Sequence, residues 1–191
     1  HWPASTVDIS ELRLVIDYQR QSGADRTLTL DIVDYPGEWL LDLPLLNKSY
    51  EEWSTESLAL SREAPRAHLA AGWHAHLATL KPDAREDEQA TLTAAKLFTD
   101  YLRACREERF AMSLLPPGRF LMPGNLAGSP ALTFAPLDRL PEAIAPDSLA
   151  GLMERRFEAY KTKVVTPFFR DHFQRVDRQI VLVDVLSAVD A

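Results

Sequence analysis

Asp34, Gly37 and Glu38 stand close together in the stretch Asp31-Ile32-Val33-Asp34-Tyr35-Pro36-Gly37-Glu38-Trp39, and their types suit phosphate chemistry. A carboxylate is a hard oxygen donor, matched to a magnesium ion that is itself on a phosphate, directly or through water. A glycine leaves its backbone N–H bare, so a phosphate oxygen can approach it. The neighbouring residues set the place of these groups. Thr27-Leu28-Thr29-Leu30 leads in with near-strict alternation, the pattern of a strand. Pro36 removes a backbone donor and Gly37 admits unusual dihedrals, so the strand must stop in a sharp loop. Asp34 therefore falls at the carboxyl end of a strand, where ligands bind in open α/β sheets. Asp31 lies inside the strand, and structural use is its expected role.

The elements that must position these residues follow from hydrophobic periodicity. Residues 1–10 read as an extended polar loop. Over residues 11–19, Leu12, Leu14, Ile16 and Tyr18 share one face, opposite Arg13, Asp17 and Gln19, which predicts a half-buried strand. The polar turn at residues 20–25 contains Gly23 and joins it to residues 26–34 as an antiparallel hairpin. After Trp39 the period changes from two to that of helices. Ser49-Tyr50-Glu51-Glu52 is a capping-box pattern. Leu69, Trp73, Leu77 and Leu80 give one helical stripe, and Leu92, Ala95, Phe98, Leu102 and Cys105 another. Prolines and glycines between residues 110 and 146 break regular helix, while Phe120, Leu121 and Phe134 favour packing. Asp147 is placed to cap a long helix to about residue 175, kinked at Pro167, with Met153, Phe157, Tyr160, Val164, Phe168 and Val176 near one face. Arg155, Arg156, Lys161, Lys163 and Arg170 make it the most basic helix, which reads as a solvated face before a phosphate or partner contact. Residues 178–186 carry the apolar run Ile180-Val181-Leu182-Val183, expected to be a central parallel strand with Asp184 at its carboxyl end.

Composition narrows the classes. The 191 residues fit one ordinary domain, or a small one with a large insertion, and 46% hydrophobic content supports a core. A net charge of −7 argues against sequence-independent nucleic-acid binding, so no nucleic-acid partner is expected. No apolar run approaches the ~18 residues of a membrane span. Cys105 is the single cysteine, so an internal disulfide and a cysteine-rich zinc site are both excluded, and a cytoplasmic location is expected. His74 and His76 are two apart on a predicted helix and point to different sides, and no HExxH or G-x-S-x-G spacing occurs.

Asp34-Tyr35-Pro36-Gly37 fits the DxxG segment that closes the third strand of P-loop GTPases. The longer string DIVDYPGEWLLDLPLL, with PASTVDISELRL near the start and RQIVLVDVL near the end, resembles the YcjX family of stress-associated proteins, held to be P-loop nucleotide hydrolases. The resemblance implies an α/β fold, part of a P-loop NTPase sheet of the GTPase kind, with a large inserted helical domain. Residues 1–39 and 176–191 would belong to the nucleotide-binding domain and residues 40–175 to the insertion. It implies magnesium and GTP or ATP, GTP being favoured. Asp34 would serve the magnesium ion, Gly37 would donate its N–H to the terminal phosphate, and Thr6 would take the place of a switch threonine that touches both metal and phosphate. Asp8 and Ser10 are neighbouring alternatives to Thr6. Glu38 would occupy the position of the water-orienting glutamine of many small GTPases, although its charge opposes the phosphate. Asp184 would be a second-tier cofactor-binding residue, since Ser187-Ala188 replaces the asparagine and glycine expected after that strand. No GxxxxGK[ST] and no NKxD-like stretch occurs, and the chain opens on His1 rather than Met, which agrees with a fragment. The function expected is magnesium-dependent nucleotide binding and hydrolysis within a larger protein. The alternative is a helical adaptor or scaffold without turnover. Beyond nucleotide, the expected partner is a protein at the helical domain or a peripheral membrane protein.

Overall fold

The structure, a computed structural model, describes residues 6–107 and 115–180. The chain divides into two units, His1–Gly37 and Glu38–Ala191. The first is the hairpin of β1 (Ser10–Gln19) and β2 (Asp25–Asp34), within a residue of the expected bounds. Its register pairs Leu12 with Ile32, Leu14 with Leu30 and Ile16 with Leu28, which puts these six aliphatic side chains on one face. The other face is more polar, with Val15 and Val33 among Arg13, Asp17, Thr27, Thr29 and Asp31. Arg13 donates to both carboxylate oxygens of Asp31 across the strands, at 2.5 and 2.9 Å, and this hydrogen bonding holds the Asp31 carboxyl below its ordinary range. Asp31 is thus structural. Gly23, at φ 81°, supplies the positive dihedral that closes the turn. The aliphatic face is open to solvent, with Leu12 55% and Leu30 44% exposed.

The second unit is helical. Its 3₁₀ segment Gly37–Asn47 is followed by α1 (Tyr50–Arg62), α2 (Ala71–Leu77), α3 (Glu88–Glu107), α4 (Gly118–Leu121), α5 (Leu149–Tyr160) and α6 (Thr166–Asp171). The capping box forms as expected. Glu52 donates its N–H to Ser49 Oγ at 3.1 Å, and Ser49 returns its own N–H to Glu52 Oε2 at 2.7 Å. In α3 the buried stripe is Thr91, Ala94, Ala95, Phe98, Tyr101, Leu102 and Cys105. Leu92, expected on it, is 38% exposed. Thr91 takes that register because its hydroxyl satisfies itself on the Asp87 carbonyl at 2.8 Å, so a polar residue is buried without loss.

Ser148, not Asp147, caps α5, accepting the Gly151 N–H at 3.0 Å. Asp147 is drawn into backbone pairing, its carbonyl accepting from Glu86 N at 3.0 Å. The long helix expected beyond it runs without interruption through α5, a π turn at Lys161–Val165 and α6, and ends at Asp171, short of residue 175. The π turn directly precedes Pro167, whose missing N–H interrupts the regular ladder there. Val176, expected on the buried face, lies past α6 and is 38% exposed. Four of the five Lys and Arg residues between positions 149 and 171 pair with acids of their own chain. Arg155 pairs with Glu86, Arg156 with Glu88, Lys161 with Glu158, and Arg170 with Asp171.

An aromatic cluster fills the core. Trp53 stacks on Phe157 with centroids 4.9 Å apart and meets Phe98 and Phe134 edge-on. From residue 115 on, the proline-rich stretch contributes Phe120, Leu121, Phe134 and Leu137 to the same core, so this part is packed down, while residues 110–114 lie outside the described residues. The fold is therefore mixed α/β, a mostly helical domain with a two-stranded antiparallel hairpin. Of the expected third strand, residues 181–186 and with them Asp184 lie outside the described residues, and residues 178–180 carry no strand. Among the described residues no helix is long and apolar enough to cross a membrane.

Truncating the centre of the cluster should cost most. Trp53→Ala is expected to lose about 3–5 kcal/mol, and Ser49→Ala about 1 kcal/mol. Denaturant unfolding of both variants checks the order. A smaller loss for Trp53→Ala than for Ser49→Ala would contradict the packing described.

Candidate functional site

Each unit carries one group of contacts that involves a residue of the stretch 34–38. In the first, Thr6 Oγ1 donates to Asp34 Oδ2 at 2.7 Å, closing a contact across 28 residues of sequence. Asp34 ends β2, paired opposite Ser10, and is exposed, while Thr6 is half-buried. Period two puts Asp34 on the same face as Leu28, Leu30 and Ile32, at the end of the apolar stripe. The structure thus brings together two of the residues expected to serve one ion. Asp8 turns inward on its own backbone, accepting the Ile9 N–H at 2.8 Å, and Ser10 is taken up in the strand. At Gly37 nothing lies within 4 Å of where a Cβ would stand, so no packing contact calls for glycine there.

The second group begins at Glu38. Instead of a sharp loop, residues 37–47 form a 3₁₀ helix whose Trp39, Asp42 and Leu45 are buried. Arg106, in the last turn of α3, places Nη2 2.8 Å from Glu38 Oε1 and donates from Nη1 to Met122 Sδ at 3.3 Å. Trp39 Nε1 donates to the Met122 carbonyl at 2.8 Å, and the Arg119 guanidinium lies over the Trp39 ring, 3.1 Å from its centroid. Gly118 meets the Glu38 backbone so closely that a Cβ there would stand 1.7 Å from the Glu38 oxygen. No other residue fits position 118 without moving the chain.

Asp42 anchors this arrangement. It is 2% exposed and accepts from Gly118 N at 2.7 Å, Arg119 N at 3.3 Å and Tyr160 Oη at 2.6 Å. Burial pushes its carboxyl up to about 6, against the pull of those three donors. Tyr160 is raised well above its ordinary value, by burial first and then by the neighbouring Asp42. Sequence reasoning missed Asp42 and Gly118 and placed Tyr160 only in a core stripe. The available signal was the string Leu40-Leu41-Asp42-Leu43-Pro44-Leu45-Leu46, where one acid stands inside an apolar run. Elsewhere His74 Nε2 lies 2.7 Å from Ser61 Oγ, and among the described residues no three His, Cys, Asp or Glu side chains are grouped to hold a metal ion.

The chain belongs to the YcjX-like family, DUF463, which matches residues 1–191. It is 39% identical over 204 residues to the Ras-like GTPase YcjX of Escherichia coli (strain K12), covering 100% of this chain and 43% of that protein. It is 40% identical over 205 residues to the Ras-like GTPase YcjX of Shewanella oneidensis, covering 99% of this chain and 41% of that protein. The chain therefore spans less than half the length of these curated relatives.

Asp42 makes stability pH-dependent. Its folded value of about 6 lies above the ordinary 3.8, so between them the folded state holds the extra proton. This contribution to stability is present below about pH 4 and is lost as pH rises through about 6, to the extent of roughly 3 kcal/mol. Asp42→Asn does not titrate, so its stability relative to wild type should improve by about that amount from pH 4 to pH 7. Guanidinium unfolding at the two pH values checks this, and a constant difference would contradict it.

Proposed function

We propose that this chain is part of a magnesium-dependent nucleoside triphosphate-binding and hydrolysing protein, with GTP the preferred nucleotide over ATP. The observation that carries the reading is the 2.7 Å contact of Thr6 with Asp34 at the end of β2, on the strand that runs into Gly37. Membership of a family whose curated relatives are named Ras-like GTPases supports it. In this reading residues 1–39 and 176–191 belong to the nucleotide-binding α/β domain, and residues 40–175 form the insertion. The open aliphatic face of β1 and β2 is what a further layer of a larger domain would cover. In this reading the cradle for the inner phosphates and the base-reading segment would come from other parts of the full-length protein, since these 191 residues contain neither motif.

The residues present fit a magnesium ion. Thr6 Oγ1 and Asp34 Oδ2 are hard oxygen donors 2.7 Å apart, near the spacing of about 2.9 Å between adjacent ligands of an octahedral shell. These two residues would hold it, with water completing the shell. Bound there, the ion would supply charge neutralisation at the phosphates. Gly37 donates its backbone N–H to the terminal phosphate. Glu38 orients the attacking water and accepts its proton. Asp184, outside the described residues, would be a second-tier residue for the nucleotide. A nucleotide-switched adaptor is the second reading, favoured by the burial of Trp39, Asp42 and Leu45 directly after Gly37. It predicts tight nucleotide binding without phosphate release.

Asp34→Ala in the full-length protein should lower hydrolysis by about 10²-fold or more, because the ion that neutralises transition-state charge loses its carboxylate. The melting temperature should change little, since Asp34 is exposed. Nucleotide affinity should depend less on magnesium. Phosphate release across a magnesium titration reads all of this. Wild-type turnover in the folded variant would remove the proposed mechanism.

A further inference from the structure

The Glu38–Arg106 contact joins the residue after Gly37 to the last turn of a helix 68 residues further along the chain. Three features set it apart from the surface ion pairs of the helical unit. Glu38 is 16% exposed in its side chain, whereas the acids paired with Arg155, Arg156 and Lys161 are 45%, 60% and 46% exposed. The backbone on either side of Glu38 is fixed, by Gly118 pressed against its carbonyl and by the buried Trp39. Arg106 is itself held, since Nη1 donates to Met122 Sδ while the Met122 carbonyl accepts from Trp39 Nε1. The carboxylate is therefore held at both ends, by its backbone and by a guanidinium whose planar fork fixes direction better than an ammonium would.

This arrangement answers a chemical difficulty. A glutamate that orients water beside a terminal phosphate brings a negative charge toward negative oxygens. A cation on its far oxygen offsets that charge and leaves the near oxygen to accept from water. We propose that Arg106 is a positioning residue for hydrolysis, acting through Glu38 and contributed by the helical unit. The inference rests on the proposed role of Glu38 and adds that the helical unit is required for turnover, not only for docking.

The test uses the full-length protein with GTP and magnesium and compares Glu38→Ala, Arg106→Gln, Arg106→Lys and the double variant Glu38→Ala/Arg106→Gln. Arg103→Gln serves as a control that removes a charge from the exposed face of the same helix. If Arg106 acts through Glu38, Arg106→Gln lowers kcat by at least about tenfold with KM nearly unchanged, because the misplacement affects the reacting geometry and not nucleotide binding. Arg106→Lys recovers part of the loss. The double variant is no slower than the slower single variant, and Arg103→Gln retains wild-type turnover. Losses that multiply in the double variant would overturn the proposal, as would wild-type kcat in folded Arg106→Gln. Slow turnover in Arg106→Gln with a lowered melting temperature and raised KM would mark a merely structural residue, and overturns it too. The two levels fail separately. Wild-type turnover in Glu38→Ala removes the role of Glu38, whereas a slow Glu38→Ala beside a fast Arg106→Gln removes only that of Arg106.

Discussion

A carboxylate removed from water is the constraint around which the helical unit is arranged. Asp42 is almost fully buried, and an unpaired buried charge would cost several kcal/mol. Its oxygens are met by two backbone N–H groups and one phenol, from chain 76, 77 and 118 residues away. Those donors cannot reach Asp42 unless α4 lies against the 3₁₀ segment and the end of α5 lies against both. Gly118 follows from the same requirement, because only a residue without Cβ lets α4 approach the Glu38 carbonyl. The aromatic cluster around Trp53 supplies the larger share of burial, while the Asp42 contacts fix which surfaces meet.

The consequence for function lies in where Asp42 sits. The segment that follows Gly37 is part of the helical core, with Trp39, Asp42 and Leu45 all buried. Whatever orients Gly37 and Glu38 therefore also acts on packed residues, and interiors packed at this density move as units and not residue by residue. Arg106 adds a charged contact to the same segment. The hairpin unit has a different logic. Its polar face satisfies itself through Arg13 with Asp31 and Thr27 with Asp17, and its aliphatic face is open.

Local patterns in the sequence carried much of this. The alternation of Leu12, Leu14 and Ile16, with Gly23 in a polar turn, located the hairpin because strand period and turn chemistry are properties of neighbouring residues. The Ser49 and Glu52 box was legible for the same reason. Where a local rule left two readings, tertiary contacts decided. Thr91 displaced Leu92 from the buried stripe, and Ser148 displaced Asp147 as a cap, since each polar group found its own acceptor or donor. The Thr6–Asp34 contact joins residues that sequence reading had singled out separately. Asp42, Gly118 and the Glu38–Arg106 pair were not legible, because each depends on partners at separations that no local pattern encodes.

In the proposed reading, residues near Thr6 and from Asp34 to Asn47 respond to a magnesium-bound triphosphate. Hydrogen exchange on the full-length protein, with and without a nonhydrolysable GTP analogue and magnesium, measures this directly. The account predicts added protection around Thr6–Ser10 and Tyr35–Trp39, extending into the 3₁₀ segment, and removed again when magnesium is chelated. Equal protection in all three conditions would contradict it.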